Sequence, residues 1–249
     1  MKSLPTCKYF NELTHKITIA VIGTGGTGSH MVNSLCRINK ALTMLNHPGL
    51  YVHAYDYKNV SHHNIGRQLF FPSDIGKNKA TTIISRANRS YGLNWIGYDR
   101  PFIVENANYN ILITCTDTVD LRIEIDKFLR QREHYHGNNA SSYYWMDIGN
   151  SKLKGQIYLG DFGKVIPGYI ETFPTVIEEI ENIDPPLEGC STFTTFNSQE
   201  LFINEFLVNI AAHMLYMIIR NKVIEYNLVF ANLETLNIQK QLWIRTKSS

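Results

Sequence analysis

The chain of 249 residues is 44% apolar and 12% aromatic, enough to bury the core of one large α/β domain or of two small ones. Its 24 basic and 22 acidic side chains leave a formal charge of +2, and no dense basic run marks a nucleic-acid surface. The opening MKSLPTCKYFNELTHK lacks the features of a signal peptide, and the longest apolar-rich stretch, Phe206 to Arg220, is broken by Asn209 and His213. A soluble cytoplasmic protein with no membrane partner is therefore expected.

In chain order, ITIAVI (Ile17 to Ile22) is an apolar, β-branched run that ends at GTGGTG, and SHMVNSLCRINKAL follows with apolar residues at helical spacing. This predicts strand, tight loop, helix. LYVHAY (Leu50 to Tyr55) predicts a second strand that ends at Asp56. The polar, aperiodic DYKNVSHHNIGRQLFFPSD comes next, and an irregular stretch of that length in a compact domain is usually functional. A helix is predicted from about Gly76, then strands in NWIGY and NILITCT, then a helix in TVDLRIEIDKFLRQR. YYWMDIG and GQIYLGDFG lie too close together for a crossover and predict antiparallel pairing.

From Val165 to Cys190 no Lys or Arg occurs, while Glu171, Glu178, Glu179, Glu181, Asp184 and Glu188 alternate with four prolines. This predicts a mobile acidic crossover over about 165–195, either a solvated loop or a surface that attracts a basic partner. A long helix in SQELFINEFLVNIAAHMLYMIIRNK and a closing hairpin in NLVFANLET and NIQKQLWIR complete the chain. The whole reads as a single domain over 1–249. Its fold class is α/β, a Rossmann-like mixed sheet, mainly parallel in its first half with antiparallel C-terminal strands and helices on both faces.

Gly23, Gly25 and Gly28 fit the dinucleotide fingerprint and Gly26 adds a fourth glycine. Together they let backbone approach a phosphate at a helix N-terminus. Asp56 stands where a ribose hydroxyl would donate, or where a loop needs a cap. An NAD(P)-dependent oxidoreductase shares these features. Asn64, Arg67 and Gln68 in NIGRQ, with Lys79 in DIGKNKA, supply cationic and polar donors beyond a pyrophosphate's needs, as a triphosphate with magnesium requires. Asp117 in TCTDTVDLR ends a predicted strand, as a magnesium ligand or as a helix N-cap.

The order GxGGxG, Asp, NxxRQ, GxxK, CTD resembles the ThiF/MoeB/E1 superfamily of ubiquitin-like protein activators over roughly residues 15 to 125. GCSTF and the helix after it further resemble the ThiF-family protein of bacterial PRTRC gene clusters. The resemblance implies ATP-dependent adenylation of the C-terminal carboxylate of a small ubiquitin-like or sulfur-carrier protein, by a homodimer that can hand its product to an E2-like acceptor. It assigns Gly23, Gly25, Gly26, Gly28, Asn64, Arg67, Gln68 and Lys79 to the phosphates, Asp56 to the ribose and Asp117 to Mg2+. A catalytically inactive nucleotide-binding scaffold is the further alternative.

Three departures stand out. Lys58 replaces a second acidic residue of many relatives, and the paired CxxC motifs are absent, so no zinc is expected. No Arg precedes Arg37, so the N-terminal arginine that several members borrow from a partner subunit is replaced by Lys2, Lys8 or Lys16, or is missing.

Arg67, Lys79 and Asp117 are assigned to catalysis, because the attacking carboxylate is already ionised and needs only positioning and charge stabilisation. Cys190 is assigned to a second, thioester-forming step, against its reading as a small buried hydrophobe. Cys7 in a frayed N-terminus, Cys36 in a helix and Cys115 at a strand end are given no chemistry, and His62, His63, His134 and His136 are read as surface residues.

Overall fold

A computed structural model describes residues 3–6, 10, 15–116, 118–133, 144–161, 165–174 and 201–244. Leu4–Pro5 forms a short strand, β1, and Ile17–Ile22 forms β2, in which Ile17, Ile19, Ala20, Val21 and Ile22 are buried on both faces, as a central parallel strand demands. Helix α1 (Gly26–Met44) follows the glycine loop and buries Met31, Val32, Leu35 and Leu42. Leu50–Tyr55 is β3. The polar stretch after it is irregular apart from two single 3-10 turns, at His62–Asn64 and Pro72–Asp74.

Helix α2 (Lys79–Tyr91) starts three residues later than its expected start at Gly76. The Asn78 side chain accepts the Thr81 N–H at 3.0 Å and sets the boundary, and Gly92 at φ +64° ends the helix. Ile96–Tyr98 is β4, Ile111–Thr114 is β5, Val119–Glu133 is α3, Tyr144–Asn150 is β6 and Lys154–Gly160 is β7. A single turn, α4 (Tyr169–Thr172), precedes the long helix α5 (Ile203–Asn221); Val223–Ile224, Leu228–Asn232 and Asn237–Gln241 are β8, β9 and β10.

The main sheet has eight strands in the order β10-β9-β7-β6-β5-β2-β3-β4. Pairing is parallel from β6 to β4 and antiparallel from β6 to β10, the mixed sheet expected from the sequence. Helices α1, α2 and α5 supply the core on one face, and α3 with Tyr169 of α4 supplies the core on the other. Because β3 lies to one side of β2 and β5 to the other, the strand order reverses there and opens a crevice at the carboxyl ends.

The expectation of a frayed N-terminus is corrected at residues 4–6. Leu4 pairs with Ile224, Pro5 with Val223, and the buried Thr6 donates its N–H to the Lys222 carbonyl at 3.0 Å. Of the acidic crossover, residues 175–195 lie outside the described residues. At its start, Ile166 and Tyr169 are buried, and the Tyr169 N–H donates to Asp126 Oδ1 at 2.6 Å.

Candidate active site

The glycine loop sits in the crevice because β2 stops at Ile22 and the chain turns at once into α1. Gly23 has φ +85°, and a Cβ there would stand 2.9 Å from the Cys115 carbonyl oxygen. Gly28 lets α1 pack against the loop, since a Cβ would overlap the Gly23 carbonyl oxygen. Gly25 precedes the first helical residue, Gly26, and no side chain caps the helix. The first-turn amides of α1 lack i−4 acceptors and point at the crevice.

A cavity of about 1120 Å³ lies over this loop. Gly23, Gly25, Gly26, Asp56, Arg67, Gln68 and Lys79 all border it, so the sequence-assigned residues converge from β2, β3, the irregular stretch and α2. Asp56 at the end of β3 does two things. Its Oδ2 accepts the Thr24 N–H at 2.8 Å and the Thr24 hydroxyl at 3.1 Å, and its Oδ1 accepts the Lys58 N–H at 2.9 Å. A carboxylate has about four acceptor sites, so after bracing the loop it keeps room for a ligand hydroxyl.

Arg67 is half-buried, and desolvation lowers its pKa from the ordinary guanidinium value. Gln68 stands against Gly25, and its buried Oε1 has no hydrogen-bond partner among the described residues. Lys79 is buried at the first position of α2, where its N–H donates to the Lys58 carbonyl at 3.0 Å.

Two assigned residues are not on the cavity wall. Gly28 serves packing, and Asn64 is a buried turn residue whose Oδ1 accepts the Ser61 N–H at 2.8 Å and the Ser61 hydroxyl at 3.1 Å. Asp117 and Cys190 lie outside the described residues. Cys36 is buried, with its thiol pushed up to about 12 by desolvation, and Cys115 is pushed up by the same cause with Asp147 nearby.

The structure also brings in residues that received no role from the sequence. Arg122 of α3 reaches the cavity wall; its Nε–H donates to Asp147 Oδ1 and its Nη2–H to the Thr116 carbonyl, each at 2.7 Å. Asn204 of α5 borders the cavity beside the glycine loop. A signal for Asn204 exists. It shares the helix face of Leu207 and Val208, three and four positions on, where an apolar residue is the norm. From β6, β7, β9 and β10 the cavity is lined by the carboxamides Asn150, Gln156, Asn232, Asn237 and Gln239 and by one cation, Lys154.

A family match spans residues 8–164, well over half of the chain, and it is to the ThiF family. The chain belongs to that family. Among solved structures, the chain is similar to PaaA (TM-score 0.66, 12% identity, 92% of this chain and 65% of that one). It is also similar to E. coli MccB crystallised with ATP (TM-score 0.64, 16% identity, 93% of this chain and 65% of that one). E. coli MccB with AMPCPP and MccA matches at TM-score 0.65 and 15% identity, covering 93% and 65%. At these identities the likeness is one of fold, and this ThiF-family chain spans about 65% of the length of those proteins. No curated protein matches it in sequence. Among the described residues, no helix is long and apolar enough to cross a membrane.

Proposed function

We propose that this ThiF-family chain is one adenylating domain over 1–249 that uses ATP to activate the C-terminal carboxylate of a small ubiquitin-like or sulfur-carrier protein. The observation that carries the reading is the convergence of Gly23, Gly25 and Gly26, Asp56, Arg67 and Lys79 on one cavity at the strand-order reversal. The fold shared with MccB, which has been crystallised with ATP and with MccA, supports it.

In this reading a substrate carboxylate oxygen attacks the α-phosphorus, the bond to the bridging oxygen breaks, and pyrophosphate leaves. No proton moves, because the carboxylate is already ionised. The chain's work is to place two anions against each other. The α1 amides hold phosphate oxygens, Asp56 takes a ribose hydroxyl, and the Arg67 and Lys79 cations offset the charge that builds up on the leaving pyrophosphate.

Magnesium would neutralise phosphate charge. Such an ion would be held mainly by phosphates and water with one carboxylate. Asp117, next to Thr116 on the cavity wall, is that carboxylate in this proposal. In a second step the Cys190 thiolate attacks the acyl-adenylate carbonyl, AMP leaves, and the thioester passes to an E2-like acceptor. A homodimer belongs to the same proposal.

Titrating ATP and NADH into the full chain tests the first step. ATP is expected to bind and NADH not to, and Lys79→Ala should weaken ATP about tenfold or more. NADH binding without ATP binding would overturn the reading. Intact-mass spectrometry with ATP, magnesium and a candidate carrier then tests the second. A reducible conjugate lost in Cys190→Ala supports the thioester, and pyrophosphate exchange without a conjugate limits the enzyme to adenylation.

A further inference from the structure

Asn204 is the second residue of α5, and its side chain crosses to α1 at the glycine loop. It is only 3% exposed, yet it borders the cavity. Its Oδ1 accepts the Thr27 hydroxyl at 2.9 Å, while its Nδ2 is buried with no hydrogen-bond partner among the described residues. A carboxamide N–H removed from water without an acceptor loses its hydration uncompensated, so folded proteins keep few of them.

The chain makes room for this group. A Cβ at Gly26 would stand 2.7 Å from Nδ2, so any other residue at the start of α1 would push the amide away. Glycine at this position therefore leaves room for a donor beside the α1 N-terminus as well as for close approach of a phosphate.

The surroundings define the missing acceptor. Nδ2 lies beside Gly26 in the first turn of α1, whose leading amides are themselves donors at the positive end of a helix dipole. Donors that converge without an acceptor call for an anion with several acceptor oxygens, and phosphate meets that requirement.

We propose that Asn204 Nδ2 donates a hydrogen bond to a phosphate oxygen of the nucleotide on the glycine loop. The C-terminal helix thereby becomes part of the phosphate cradle, across 177 residues of sequence from Thr27. The inference rests on the ATP reading above. Asn204 is thus a nucleotide-binding residue, and the Thr27 bond is what aims it.

The test is calorimetric titration of adenosine, AMP and ATP into the full chain and into two variants. Asn204→Ala removes the donor, and Asn204→Asp keeps an oxygen for Thr27 while turning a carboxylate toward the phosphate. Asn204→Ala is expected to weaken AMP and ATP about tenfold, Asn204→Asp about a hundredfold, and neither should change adenosine binding. If Asn204 were only a brace between helices, adenosine and ATP affinities would fall together, or ATP affinity would survive Asn204→Asp. Either outcome overturns the inference and leaves the adenylation reading standing. A wild-type chain that binds neither AMP nor ATP overturns both.

Discussion

Asp147 is a carboxylate held in the core on β6, among the sheet's central strands. It has no exposed surface, its Oδ2 has no partner among the described residues, and its Oδ1 is shared by Arg122 Nε and the Thr114 hydroxyl. Burial, the largest single influence, opposes the charge on Arg122, but the Asp147 carboxylate, by its charge and hydrogen bond, together with Tyr169 and Cys115 outweighs it, and the guanidinium pKa is raised. Because Arg122 also holds the Thr116 carbonyl, the pair fixes that carbonyl at the cavity wall. Arg122→Met would strand a carboxylate in the core, with an expected loss of about 3–5 kcal/mol in urea unfolding. Adding Asp147→Leu should restore most of that loss, because it removes the stranded charge. A single variant as stable as wild type would show that the carboxylate is not confined as described. At this scale the sequence was legible where residues that meet at the cavity stand close together in the chain. Asp56 was assigned as the end of the second strand, and Arg67, Gln68 and Lys79 from the donors in NIGRQ and DIGKNKA and from the family resemblance; all four border the cavity, while Asn64, assigned with them, does not. Arg122 and Asn204 were not assigned, because only the packing of α3 and α5 brings them to the site.

Elements were legible where burial dictates composition. β2 and β3 have the bounds read from their apolar runs, and the antiparallel turn of the sheet at β6 and β7 was legible because too few residues separate them for a crossover. The pairing of β1 with β8 was not legible. Two-residue strands have no periodicity, and their pairing depends on where α5 delivers the chain. The α2 boundary was misplaced because Gly76 and Asn78 are both turn residues, and only the Asn78 side chain on Thr81 decides between them. The antiparallel half offers a direct test of the sheet order. Ile157 of β7 is fully buried between β6 and β9, whereas β10 is the outer strand with Ile238 48% exposed. Ile157→Ala is expected to cost about 2–5 kcal/mol in denaturant unfolding, and Ile238→Lys less than about 0.5 kcal/mol. The opposite ranking would mean that the strand order is wrong.

For the molecule as a whole, the sheet divides the core into two layers, and the glycine loop sits where its strand order reverses, so the stability of the sheet and the shape of the site are linked. Histidines packed near the strand ends make that stability depend on pH. His47 Nδ1 accepts the Gly49 N–H at 2.9 Å, an arrangement that needs a neutral ring, and burial followed by the nearby Lys222 charge lowers its pKa. Burial likewise lowers His53, whose Nδ1 lies 2.9 Å from the Tyr109 hydroxyl, and lowers His30 despite the opposing pull of Glu205. In the unfolded chain each ring titrates near about 6.5, so below that pH the unfolded state binds more protons than the folded one. The stability these rings contribute is full above about 6.5 and is lost as pH falls toward their folded values. Thermal unfolding followed from pH 8 down to pH 5.5 should show a midpoint that holds and then falls. His47→Asn should flatten the fall by removing one of the three contributions. A midpoint that rose on acidification would mean that these rings are charged in the folded protein, with the Gly49 N–H facing another donor.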